Sequence, residues 1–88
     1  MVERKESERF SNVYLAYVFD LGHDIKLRAL EAKKERKSAS SVEDRAFESG
    51  RMMAFNEVIS IMQQNAEGLG IPLTDIRLDD IEPDRDLV

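Results

Sequence analysis

The sequence predicts an all-α protein: an antiparallel two-helix hairpin that dimerises into a four-helix bundle, with a short C-terminal segment packed across one end. Three observations carry that prediction. Apolar residues recur at alternating steps of three and four through two long stretches, the spacing that gathers them on one helical face. Only one short polar break, Ser38-Ala39-Ser40-Ser41, separates the two stretches. Both prolines, Pro72 and Pro83, fall after them, so neither stretch loses a helical hydrogen bond to a proline ring.

The first helix is placed at about residues 3–37, where Gly22 is the one helix-weakening residue. Phe10, Tyr14, Tyr17, Leu21, Ile25 and Ala32 form its stripe. Val13, Val18, Phe19 and Leu30 widen that stripe until most of the circumference between Phe10 and Leu30 is apolar. Ser7 reads as an N-cap, with Glu8 just inside the positive end of the helix dipole. Lys33, Lys34, Arg36 and Lys37 lie at the other end, where cations suit the unpaired carbonyls. Asp24 and Arg28 form an i,i+4 pair of the favourable orientation.

At the break, Ser40 with Glu43 fits a capping box, and Ser41 with Asp44 is the same device one residue later. The second helix follows at about residues 42–67, with Gly68 and Gly70 available as C-cap glycines. Met52, Phe55, Ile59, Met62, Ala66 and Leu69 make its stripe, and Ala54, Val58 and Ile61 broaden it beyond what a lone surface helix needs. So short a link turns the helices back on one another, bringing Tyr17 level with Ile61 and Met62. Bulky residues then meet at the open end of the hairpin. Ala29, Ala32, Ala46, Ser49 and Gly50 lie near the turn. Glycine inside a helix costs about 1 kcal/mol relative to alanine. For Gly50 the simplest reason is close approach of a neighbouring helix; for Gly22 it is close packing or a slight kink.

Residues 1–71 form the hairpin and residues 72–88 an acidic C-terminal segment. The hairpin carries 11 basic and 12 acidic residues, a net of −1; the segment carries two and six, a net of −4. Leu73, Ile76, Leu78 and Ile81 are interleaved with those acids, which a solvated tail does not need. They are expected to dock over the open end of a hairpin, with Thr74 capping one turn and Pro83 stopping it. Asp84 to Val88 are expected to be loose.

Totals narrow the chemistry. A chain of 88 residues is one domain, and marginal alone without a disulfide, a metal or a partner. It has no cysteine, which removes disulfides, thiolate metal sites and cysteine nucleophiles. His23 is the single histidine, so no zinc site needing two imidazoles forms within one chain. Self-association remains, and each large apolar side chain it covers is worth about 1.5–3 kcal/mol. The expected self-association residues are Phe10, Tyr14, Tyr17, Leu21, Met52, Phe55, Ile59 and Met62. The net charge of −5 disfavours broad attachment to nucleic acid or anionic membrane. No apolar run reaches the length of a membrane span and no signal-peptide stretch stands at the N-terminus, so the expected location is the cytoplasm.

Three other chemistries compete with this reading. Asp20, His23 and Asp24 share a helical face at metal-ligand spacing, yet the Glu-x-x-His pairs of di-iron bundles are absent, and a polar stripe explains the cluster more simply. Lys33, Lys34, Arg36 and Lys37 are candidate phosphate contacts, making a nucleic-acid-linked regulator the alternative function. No interleaved aromatic or helix-turn-helix pattern accompanies them. Ser60 and the linker serines lack a base in any recognisable arrangement, and a hairpin has little concave surface for catalysis. The expected function is therefore a non-enzymatic protein–protein interaction module acting as a homodimer without a cofactor. Asp75, Asp79, Asp80 and Glu82 are its candidate contacts to a basic partner, and Arg51, beside Gly50, is a candidate anion anchor.

Overall fold

A computed structural model of the chain describes residues 12–88 in full and residues 2–11 as helical backbone. Two long antiparallel-packed helices, α1 (Val2–Ser38) and α2 (Val42–Gly68), form the hairpin. A 3-10 turn (Leu73–Ile76) and a one-turn helix, α3 (Pro83–Asp86), punctuate the C-terminal segment. No strand occurs among the described residues.

Local chemistry sets the ends. α2 is capped by Ser41, whose Oγ accepts from the Asp44 backbone N–H at 3.0 Å, so the Ser41 register operates rather than the Ser40 one. α1 begins ahead of Ser7, which removes the capping role assigned to that residue. At the far end of α2, Gly70 takes the left-handed conformation at φ 71. Its N–H bonds to Glu67 O at 3.1 Å and that of Ile71 to Ala66 O at 2.8 Å, a Schellman closure that needs a residue free of Cβ strain.

The C-terminal segment departs from the expected route. It does not cross the open end of the hairpin but runs along the groove between the helices, from the open end towards the turn. Ile76, Leu78, Ile81 and Leu87 are buried there together with Ala29, Ala32, Met52, Ile59 and Ala66. Nor is the terminus loose: Pro83 opens α3 and Leu87 is fully buried. The physical reason lies in the hairpin's small residues. With alanines at 29, 32 and 66, two helices alone enclose too little apolar volume, and the segment supplies the missing aliphatic side chains as a third layer.

Gly22 is where that layer comes closest. The Ile76 carbonyl occupies the space a β-carbon at position 22 would need, so close packing is the reason for this glycine. Among the described residues nothing lies within 4 Å of where a β-carbon at Gly50 would stand.

Candidate interaction surfaces

Four polar contacts hold the segment in the groove, and they follow the helices in order. Arg77, in the left-handed conformation at φ 60, stacks its guanidinium on the Phe19 ring at 4.6 Å and reaches His23 Nδ1 at 3.1 Å. Guanidinium only donates, so Nδ1 is the accepting atom in this contact. Lys26, buried in mid-helix, donates to Asp80 at 2.8 Å, and that hydrogen bond holds the Asp80 carboxyl below its ordinary range. Gln63 Nε2 donates to the carbonyls of Leu78 and Ile81 at 3.0 and 2.8 Å. Asn56 Nδ2 donates to those of Pro83 and Leu87 at 2.9 and 3.4 Å. Two amides seven residues apart on α2 thus grip main-chain oxygens of the segment; the Pro83 oxygen also accepts from the Leu87 N–H at 2.9 Å, and the pairing meets the need of buried carbonyls for a donor.

Sequence reasoning missed Lys26, Asn56 and Gln63. The available signal was Lys26 itself, a cation placed between Gly22 and Ala29 on an otherwise small-residue arc, opposite an acidic segment. Asn56 and Gln63 look like ordinary flanking polar residues, and only the route of the segment gives them a task.

The opposite face of the hairpin carries the second surface. Gly22 and Lys26 mark the side of α1 that meets the segment, and Asn56 and Gln63 that of α2. Helical spacing turns Tyr17 of α1 and Phe47, Ala54, Val58 and Ile61 of α2 away from it, with Tyr14 and Leu21, in line with Ala32, at the edge of that face. All are exposed: Tyr14 by 66%, Tyr17 by 64%, Phe47 by 65%, Ile61 by 56% and Val58 by 40%. Positions 47, 51, 54, 58, 61 and 65 follow alternating steps of four and three, the seam spacing of paired helices. Gly50 lies beside that seam.

The expected self-association residues separate accordingly. Tyr17 lies on the open face, with Tyr14 and Leu21 exposed at its edge. Met52 and Ile59 are buried inside the single chain and have no surface to give a second copy, while Phe55 and Met62 are half-buried against the same core. The Phe10 side chain lies outside the described residues. α1 is apolar around so much of its girth near Tyr17 that periodicity alone does not choose the buried arc. Gly22 chooses it by admitting Ile76.

The charged candidates also sort by contact. Arg51 bonds Glu48 at 2.8 Å, Glu82 lies 3.5 Å from Arg85, and Asp80 holds Lys26. Arg85 also holds Asp86 at 2.9 Å and depresses its carboxyl, with the Glu82 backbone N–H helping. Asp79 is exposed and Asp75 half-buried. Of the basic run, Lys34 and Lys37 are exposed and Lys33 and Arg36 half-buried; Arg36 Nε donates to Ser49 Oγ at 2.9 Å. Asp20 and Asp24 are exposed while His23 faces Arg77, and among the described residues no three His, Cys, Asp or Glu side chains group closely enough to hold a metal ion. No helix among them is long and apolar enough to cross a membrane. No family model, curated protein or solved structure matches this chain.

Proposed function

We propose that this chain is a non-enzymatic helical interaction module that works as a homodimer, two hairpins pairing through their open faces into a four-helix bundle. The exposed face of Tyr17, Ala54, Val58 and Ile61 opposite the docked segment, with Tyr14 and Leu21 at its edge, carries this reading. Contiguous apolar patches of several hundred Å² mark interaction sites in soluble proteins. α2 has 27 residues, about 40 Å at 1.5 Å each, and the molecule is 20 Å across. Pairing along the whole hairpin covers roughly the 800 Å² per partner of a standard interface, with the stretch Tyr14 to Leu21 and Ala54 to Ile61 as its apolar part. The exposed Gly50 supports a helix arriving from outside the chain, since nothing among the described residues uses its missing side chain. The outward edge of the segment, at Asp79, Asp80, Glu82 and Asp84, offers carboxylates to a basic partner.

Light scattering over a dilution series tests the pairing. The wild-type chain is expected at twice its 10.1 kDa mass when concentrated and at that mass when dilute. Val58→Asp with Ile61→Asp is expected to remain monomeric with its thermal unfolding retained, because both side chains are already partly in water. A wild-type chain that stays monomeric at millimolar concentration overturns the homodimer.

A further inference from the structure

We propose that the turn end of the segment's groove is a binding site for a small amphiphilic anion: an aliphatic or aromatic acid with its apolar body on Met52, Met53 and Leu87 and its carboxylate on Arg36. The site lies on the side of the molecule away from the open face. Beside Leu87 the groove opens into a notch of about 390 Å³ lined by Arg36, Ser49, Met52, Met53, Asn56, Glu57, Leu87 and Val88, a volume within the ~300–1,000 Å³ range of small-molecule sites. Its walls are thioether and aliphatic, with polar groups at its two ends.

Arg36 gives the notch its preference. Its Nε is engaged by Ser49 Oγ, which holds the guanidinium at the notch and leaves four N–H donors on the Nη atoms. Among the described residues, no carboxylate lies within ion-pair distance of Arg36, Lys37 or Arg45. Those same three side chains line a second cavity of about 260 Å³, with Arg36 common to both. A half-buried cation beside an apolar surface, with further unpaired cations behind it, gains from an anion that water would otherwise have to replace. The ligand's orientation also follows. Glu57 is eight residues beyond Ser49 on α2, about 12 Å along the axis, and it repels a carboxylate from that end of the notch. The negative head goes to Arg36 and the apolar body runs towards Asn56.

Decanoate is the probe, added to the full-length chain and followed by amide chemical shifts. Saturable shifts at Ser49 to Glu57 and at Leu87 and Val88 are expected, with a millimolar or tighter dissociation constant. Decanol, which lacks the charge, and the Arg36→Gln variant should each bind about tenfold more weakly, the size of one charge-assisted hydrogen bond. Met53→Asp, at a largely exposed position, should abolish binding while thermal unfolding stays near wild type. Inorganic phosphate alone should produce no saturable shift at Met52 or Leu87. The proposal is overturned by absence of saturation, by equal binding of decanoate to wild type and Arg36→Gln, or by shifts centred on Val58 and Ile61 instead.

Discussion

The carbonyl of Ile76 packs into the side of α1 at Gly22, in the space a β-carbon there would fill. The third layer of the molecule therefore starts from a main-chain contact rather than a side-chain one. Gly22→Ala should be destabilising although alanine is the better helix former. Overlap with packed backbone typically costs about 1–3 kcal/mol, against a helix-propensity gain of about 1 kcal/mol. A fall of about 5–10 °C in the circular-dichroism melting midpoint is expected for a domain of this size. An unchanged or higher midpoint would show that the segment does not sit on Gly22.

Gly50→Ala should behave in the opposite way. Among the described residues no atom lies within 4 Å of the added methyl group, so the dilute, monomeric chain should gain about 1 kcal/mol from helix propensity. If a second copy's helix approaches over Gly50, the same methyl group weakens pairing. Denaturant unfolding at low concentration, set beside the dissociation constant from light scattering, separates the two effects. Stabilisation at both concentrations, with pairing unaltered, removes Gly50 from the interface.

The two glycines also show what was legible beforehand. Their cost to a helix is visible in the sequence, but the reasons differ and come from neighbours far along the chain. The hairpin itself was legible, because three-and-four spacing and a four-residue polar break are local signals. The route of the C-terminal segment was not. It depends on Asn56 and Gln63 meeting main-chain carbonyls of the segment, and main-chain oxygens leave no mark on residue type. The burial of Leu87 went unseen for the same reason: acidic neighbours mask a single leucine whose place is set by tertiary contact. Tyr14 and Tyr17 were readable as apolar helix positions, while the arc they occupy was decided by Gly22.

Gln63→Leu tests the amide grip directly. The substitution keeps an apolar side chain of similar length but removes both donors, leaving the Leu78 and Ile81 carbonyls without their partner. A loss of about 2 kcal/mol is expected, the usual penalty for unpaired buried groups. Hydrogen exchange should localise it: amides from Leu78 to Leu87 should exchange through a local opening well below the global unfolding free energy, while those in the middle of α2 stay protected. Uniform loss of protection across both helices would instead mean that segment and hairpin unfold as one unit.

Acid should loosen the same layer through Asp80. The hydrogen bond from Lys26 lowers the Asp80 carboxyl from its ordinary 3.8, so the folded state binds this proton less readily than the unfolded chain. The pair's contribution is therefore fully present above the unfolded value, near pH 4, and is lost as pH falls through the lower folded value. Lys26 is buried while the Asp80 side chain is 64% exposed, so the Coulombic part is screened and the larger cost of breaking the pair is a buried ammonium without its acceptor. Asp80→Ala, which removes the acceptor, should accordingly lose about 1–2 kcal/mol at pH 7 and show a shallower decline in stability as pH falls below about 4 than wild type. Denaturant midpoints measured at matched pH values check both. Parallel curves for the two proteins would mean that the ion pair contributes no pH dependence.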